Sequence, residues 1–261
     1  MIEVHTFSQA AEAARTPGHI LGGGTLLMRQ VNYAPQTIEK LIRVTDPELQ
    51  EIRADSTGIR IGAGVTMASI INHPDLSVLA PVARAIGAPA LRNMATVGGN
   101  LFAPHPYGDL AVALLALDAF VIWSDGREED METFFQGRER TRGMVTHVVV
   151  PRVQSGQLRF RKVSRTRPKG ISVMSIAVYL PGGSLSGRGA RIAFGAMGPT
   201  PLRAKAAEAA LENGAMDASG VAAACSVCGH GLAPQDDALA SAWYRNEVAP
   251  VHLRRCLEGE T

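Results

Sequence analysis

Up to about residue 150, short apolar runs of strand length alternate with stretches in which apolar residues recur at helical spacing. The run GHIL (18–21) leads into three glycines, and IEKLIRV (38–44) follows. ELQEIRADSTGIRIGAGV (48–65) alternates as a hairpin, with DSTG supplying the turn. Helical patterns come next, at MASIINH (67–73) and at LSVLAPVARAIG (76–87), the second closing at Gly87 with Pro89 beyond it. After ATVGGN (95–100), the run DLAVALLALDA (109–119) predicts an apolar helix, FVIWSDGREEDM (120–131) a strand that turns at SDGR, and THVVVP (146–151) a last strand.

Beyond Pro151 the pattern is simpler. GQLRFRKVS (156–164), ISVMSIAVYL (171–180) and ARIAFGAM (190–197) predict three strands separated by Pro/Gly-rich breaks, and helical stretches follow near 201–213, 217–228 and 237–257. Strands first and helices last predict an α+β layer with the helices on one face of an antiparallel sheet. The expected organisation is two domains, 1–153 and 154–261, with the change of character between 150 and 157.

A chain of 261 residues with 46% hydrophobic content has ample material for such cores. Its 26 Lys+Arg against 24 Asp+Glu leave a formal charge of +2, which gives no particular attraction for nucleic acid or an anionic membrane. The basic stretch RFRKVSRTRPK (159–169) is the local exception and reads as a solvated strand edge. No run reaches the roughly 18–20 apolar residues of a membrane span; LAVALLALDAFVIW (110–123) is broken by Asp118 and reads as a buried helix followed by a strand. MIEVHTFSQA shows neither a basic start nor an apolar signal region, so the expected location is cytoplasmic.

Three cysteines make no disulfide framework. Cys225 and Cys228 form a C-x-x-C, but they sit in the Ala-rich, helical-looking ASGVAAACSVCGHGL, with only His230 nearby as a further ligand. Buried, inert thiols are the expectation, and no metal site is expected on this chain.

Candidate chemistry begins with Gly22, Gly23 and Gly24, because glycine loses more backbone freedom on folding than any other residue. At the end of a strand, such a run forms a turn whose successive N–H groups can point into one concavity and hold a diphosphate, with the Thr25 hydroxyl as a further donor. It is not a P-loop, which ends in Gly-Lys-Ser/Thr, nor a G-x-G-x-x-G fingerprint. Taken alone, the triplet serves a structural turn or an anion site equally. A second Gly-Gly pair in ATVGGN changes the balance, since two such loops can clasp a ligand with two phosphates and two ring systems. Thr96 and Asn100 would then give polar contacts. Asp109, at a helix start, would accept from ribose hydroxyls, cap the helix, or do both.

The segments GGGTLLM, RNMATVGGNLFAPHPYGDLAVALLALDA, FRKVSRTRPKGISVMSIAVYL and IAFGAMGPTPLRAKAAEAAL together resemble, in order, the FAD-binding medium subunit of the xanthine dehydrogenase and carbon monoxide dehydrogenase family of molybdenum hydroxylases. The resemblance implies an FAD-binding domain of the vanillyl-alcohol-oxidase-like type, built of two α+β subdomains, followed by the C-terminal sheet domain. It implies that Gly22, Gly23, Gly24, Thr25 and Leu26 bind the FAD diphosphate, and that Thr96, Val97, Gly98, Gly99 and Asn100 lie near the phosphates and the flavin. Asp109 then matches the ribose-holding aspartate. Lys162 matches the flavin-side lysine, where a cation favours the anionic reduced flavin; an exposed strand lysine is the alternative. Arg92 and Asn93 match residues that position the second loop.

Two departures stand out. APHPYGD replaces the Ser-Pro that often precedes the aspartate, placing His105 and Tyr107 in a loop where they stack on a ring or stabilise the turn. TRPKG replaces an acidic residue after FRKVSR, which leaves the electron acceptor open.

The implied function is electron relay. Partner subunits, one small with [2Fe–2S] clusters and one large with the molybdenum cofactor, oxidise the organic substrate; this chain's FAD passes the electrons to NAD⁺, a quinone or oxygen, in a dimer of heterotrimers. The chain has no cluster-binding cysteine set of its own. The competing readings are a self-contained FAD oxidoreductase and a non-enzymatic scaffold or maturation subunit that has lost FAD.

Overall fold

The computed structural model describes residues 2–34, 38–138, 143–166, 170–183, 186–212 and 216–259. The first unit is small. β1 (Glu3–Phe7), α1 (Ala10–Ala13), β2 (His19–Leu21), α2 (Leu27–Tyr33) and β3 (Lys40–Val44) alternate, and the strands form a parallel sheet in the order β1-β3-β2. Parallel neighbours need crossovers, and α1 and α2 lie in the two connections. IEKLIRV therefore supplies the central strand of a parallel sheet.

The second unit is larger. β4 (Ile52–Ala54) and β5 (Ile59–Gly62) form the expected hairpin, where the Asp55 carboxylate accepts from the amides of Thr57 and Gly58 in the turn. Then come α3 (Met67–Asn72), α4 (Ala80–Arg84), α5 (Pro89–Arg92), α6 (Val97–Leu101) and α7 (Asp109–Ala116). β6 (Phe120–Trp123), β7 (Glu128–Asp130), α8 (Met131–Gly137) and β8 (Val145–Val150) complete an antiparallel sheet in the order β4-β5-β8-β6-β7. The strand-like piece before the second glycine pair is reduced to one isolated bridge, Thr66 to Thr96. The glycines themselves lie in α6, because the Thr96 hydroxyl accepts from the Gly99 amide and starts a helical turn.

The third unit opens with β9 (Leu158–Ser164), β10 (Ser172–Tyr179), β11 (Arg191–Gly195) and β12 (Leu202–Arg203), an antiparallel sheet in the order β12-β11-β10-β9. β12 takes the start of the predicted 201–213 helix, which begins only at α9 (Lys205–Glu212). α10 (Ala218–Val227) and α11 (Ala242–Glu258) follow and cover one face of this sheet, as expected.

The opposite face is covered as well, by α7. All eight residues of that helix are buried, and its leucines join Ile61, Val121 and Val148 of the five-stranded sheet and Ala177 and Ala193 of β10 and β11 in one continuous cluster. A helix apolar all round requires this position between two sheets. For the same reason β10 is buried along nearly its whole length and does not alternate.

β9 shows the two environments side by side. Leu158 and Phe160 pack on the α7 side, while Val163 packs among the residues of the C-terminal helical layer and the Arg161 guanidinium donates to His252 of α11. The basic stretch is thus committed side chain by side chain to neighbouring elements up to Arg165; residues 167–169 lie outside the described residues. No helix among the described residues is long and apolar enough to cross a membrane.

Truncating α7 tests its place at the centre. Leu114→Ala, at a side chain only 1% exposed, is expected to lower unfolding free energy by about 2–5 kcal/mol in equilibrium urea denaturation. A loss under about 1 kcal/mol would mean that α7 is not the shared core.

Candidate functional site

The three glycines are required for different reasons. A Cβ on Gly23 would stand 1.6 Å from the carbonyl oxygen of Met94, so the backbone of the first loop lies directly against the strand-like segment that leads into α6. Gly24 adopts φ +70, a conformation that side chains disfavour. Gly22 abuts the Thr96 hydroxyl, which a Cβ would approach to 2.8 Å. The fold therefore brings the two glycine motifs together.

Their amides are in opposite states. The carbonyls of Gly24 and Leu26 accept from the amides of Met28 and Gln30, but among the described residues no acceptor pairs with the amides of Gly22, Gly23, Gly24, Thr25 or Leu26. These residues are partly or well exposed, so five successive donors remain open to a ligand. In the second motif the donors are spent: Val97 on the Val65 carbonyl at 2.9 Å, Gly98 on Ala63 at 2.8 Å, Gly99 on the Thr96 hydroxyl at 3.1 Å and Asn100 on the Thr96 carbonyl at 3.0 Å. The first loop thus keeps its donors unpaired, while the second spends those of Val97 to Asn100 on neighbouring protein acceptors.

Asn100 extends that wall inward. Its buried side-chain carbonyl accepts from the Leu110 amide at 3.2 Å, tying α6 to the first turn of α7. Arg92 works in the same way at the end of α4, where it donates to the carbonyls of Arg84, Ile86 and Gly87, the last at 2.6 Å. Both are positioning contacts.

Asp109 and Lys162, 53 residues apart, meet. Gly108, with φ 101, occupies the capping position of α7, so Asp109 is the first helical residue and does not cap. Its carboxylate accepts from the Lys162 ammonium at 2.9 Å and from the Ser172 hydroxyl at 2.6 Å. Lys162 also donates to the Ala85 carbonyl at 3.0 Å. With side-chain exposures of 12% and 8%, the lysine and aspartate form a largely buried pair, and Lys162 is not a solvated strand lysine. Removing one partner of such a pair leaves a buried charge uncompensated, which typically costs about 3–5 kcal/mol.

The loop before Asp109 is fastened independently. His105 reaches the Asp237 carboxylate at 2.9 Å, and the same carboxylate oxygen accepts from the fully buried Arg245 at 2.8 Å. Burial pushes the Asp237 carboxyl upward, but hydrogen bonds from His105, the amides of Ala240 and Leu239, and Arg245 outweigh it and hold the group well below the usual carboxylate range. His105 thus stabilises its loop. Ser172, Asp237 and Arg245 carry no motif that sequence reading could single out.

The cysteines are remote from these groups. Cys225, Cys228 and Cys256 are free and buried beneath α10 and α11; burial pushes the Cys228 thiol up to about 11 and the Cys256 thiol up to about 12, so both stay protonated at neutral pH. No group of three or more metal-ligating side chains occurs among the described residues.

Residues 1–153 match the family described as the FAD binding domain in molybdopterin dehydrogenase, and residues 159–259 match the CO dehydrogenase flavoprotein C-terminal domain. The nicotinate dehydrogenase FAD-subunit of Eubacterium barkeri is 30% identical over 213 residues, covering 75% of this chain and 72% of its own. The glyceraldehyde dehydrogenase medium chain of Sulfolobus acidocaldarius is 27% identical over 246 residues, 88% and 86% of the two chains. A solved structure of carbon monoxide dehydrogenase from Hydrogenophaga pseudoflava, lacking the Mo-pyranopterin moiety of the molybdenum cofactor, superposes with a TM-score of 0.90 at 26% identity, over 98% of this chain and 96% of that one.

Asp237→Asn is expected to destabilise the chain by about 2–3 kcal/mol at neutral pH, because it leaves the Arg245 guanidinium without a countercharge. A depressed folded-state carboxyl contributes fully above its unfolded value of about 3.9 and loses that contribution as pH falls through the folded value. The gap between wild type and variant, measured by urea denaturation, should therefore narrow as pH falls below about 4, and a gap that widens below that pH would contradict the assignment.

Proposed function

The chain belongs to the family of FAD-binding flavoprotein subunits of the molybdopterin dehydrogenases, and from that premise we propose that it is the electron-relay subunit of a heteromeric molybdenum hydroxylase. Its partners in this reading are a small subunit with [2Fe–2S] clusters and a large subunit with the molybdenum cofactor, and the assembly is a dimer of heterotrimers in the cytoplasm. The acceptor is NAD⁺ or another oxidant.

The observation that carries the reading is the run of unpaired amides from Gly22 to Leu26 beside a glycine-permitted backbone contact. Consecutive donors of this kind suit a diphosphate, the anionic centre of FAD. Gly23 serves the same loop in another way, because only a residue without a side chain lets its backbone lie against the Met94 carbonyl and so holds the first loop on the second. We propose that residues 1–153 form the cofactor-binding domain and 154–261 a second domain that closes over it.

In this arrangement Gly22, Gly23, Gly24, Thr25 and Leu26 hold the diphosphate by donation. Thr96, Val97, Gly98, Gly99 and Asn100 form a wall in which the amides of Val97 to Asn100 are already paired with protein acceptors, so its shape is held by the chain itself. Asp109 offers its carboxylate to the ribose hydroxyls. The resemblance places Lys162 on the flavin side, but its 2.9 Å contact with Asp109 puts its positive charge at the end of the cofactor that the carboxylate meets. Bound FAD supplies the ability to exchange electrons singly with clusters and in pairs with an acceptor. The chain's own part is binding, orientation and charge placement, so oxidation of an organic substrate belongs to the complete complex.

Titrating the flavin-stripped full chain with FAD, followed by flavin fluorescence, should show saturable binding of one FAD per chain and weak binding of FMN, which lacks the adenosine half. Gly23→Ala, which must push the Met94 backbone away, should weaken FAD binding at least about tenfold and also lower the stability of the flavin-free chain in urea. Absence of FAD binding, both alone and after co-expression with candidate partner subunits, would make the loops structural turns and remove the relay reading.

A further inference from the structure

β10 contains an irregularity at the level of Asp109. From Met174 onward the strand alternates: Met174, Ile176 and Val178 point into the C-terminal helical layer, while Ala177 and Tyr179 pack on the α7 side. Strict continuation would send Ser172 into the helical layer with Met174. The pairing with β9 instead slips at this point, Ser172 standing opposite Ser164 and Met174 opposite Val163, so that Val173 is an extra, unpaired residue. A bulge of this kind reverses the facing of what precedes it. The Ser172 hydroxyl consequently lies on the α7 side, 2.6 Å from the Asp109 carboxylate and only 2% exposed.

The bulge has its own anchor. The Val173 carbonyl, which the bulge leaves without a place in the ladder, accepts from Arg245 Nε at 2.8 Å. The rest of that guanidinium is held by the carbonyls of Gln235 and Ala240 and by Asp237. A buried cation held by four hydrogen bonds is a rigid post, because each broken bond would leave a charged donor unsatisfied.

We propose that Ser172 is a positioning residue for cofactor binding: held on the α7 side by the Arg245-anchored bulge, it fixes one oxygen of the Asp109 carboxylate and so sets the direction in which that group meets the adenosine ribose. The proposal rests on the FAD-binding reading above. Lys162 and Ser172 take opposite oxygens of the carboxylate, so its plane is set from two sides. The lysine supplies charge and the serine supplies direction.

The test compares Ser172→Ala, Ser172→Thr and Asp109→Ala, and the double variant Ser172→Ala/Asp109→Ala, in the full chain. FAD and FMN affinities are read by flavin fluorescence, and stability of the flavin-free chain by urea denaturation. Ser172→Ala should weaken FAD about tenfold, the range of a lost hydrogen bond to a charged group, and leave FMN unchanged. Ser172→Thr should restore most of the FAD affinity. In the Asp109→Ala background, Ser172→Ala should have no further effect. Equal losses for FAD and FMN, no loss at all, or additive losses in the double variant would overturn the proposal. If the wild-type chain binds no FAD, the functional reading fails separately, and the urea cycle then decides: additive stabilities of the two single variants would overturn the serine–aspartate linkage, and non-additive ones would uphold it.

Discussion

A helix with no polar side facing solvent has to be enclosed, and the structure is arranged around meeting that demand for α7. The five-stranded sheet covers one side and the C-terminal sheet the other, so the two halves of the chain share a core instead of touching at a wet interface. Burying its leucines is worth about 1.5–3 kcal/mol for each side chain, and the same burial determines where the first residue of the helix lies. Asp109 is carried to the seam between the two halves, where a carboxylate needs partners or water. The C-terminal half supplies Lys162 and Ser172 there.

The segment from His105 to Asp109 is consequently held twice by the C-terminal half, once through Asp237 and once through Lys162 and Ser172. Arg245 joins the two attachments, since it grips both Asp237 and the bulged carbonyl of Val173. Buried charges are expensive to bring out of water, and their arrangement here is strict because every donor and acceptor must be matched. The loop APHPYGD uses its histidine in this way.

The two glycine motifs divide their labour by hydrogen bonding. The second has folded into a short helix and spent the amides of Val97 to Asn100, which makes it rigid; the first is left with unpaired donors because its neighbour approaches too closely for any side chain and its backbone turns through a left-handed conformation at Gly24. A rigid wall beside a donor-rich loop is the arrangement expected where a diphosphate has to be held without reorganisation of the protein around it.

Much of the fold was legible in the chain. The helical period of 109–116, the hairpin turn at Asp55 and the strand runs after 156 reflect preferences acting over a few residues, and those preferences survive in the structure. The all-round apolarity of α7 indicated a buried helix, whereas the burial of β10 on both faces was not legible in a run that Ser172 and Ser175 interrupt. The glycine motifs were legible as special positions, because only glycine tolerates their backbone. What tertiary structure alone decided is pairing at long range: Asp109 with Lys162 across 53 residues, Val173 with Arg245 across 72, and His105 with Asp237 across 132. It also decided which glycine motif keeps its amides free and on which face Ser172 stands. A one-residue bulge reverses a strand's facing without any change in composition, and whether an amide is spent depends on which carbonyl another segment brings near it. Both are properties of register and packing between distant segments, on which local sequence preferences place no constraint.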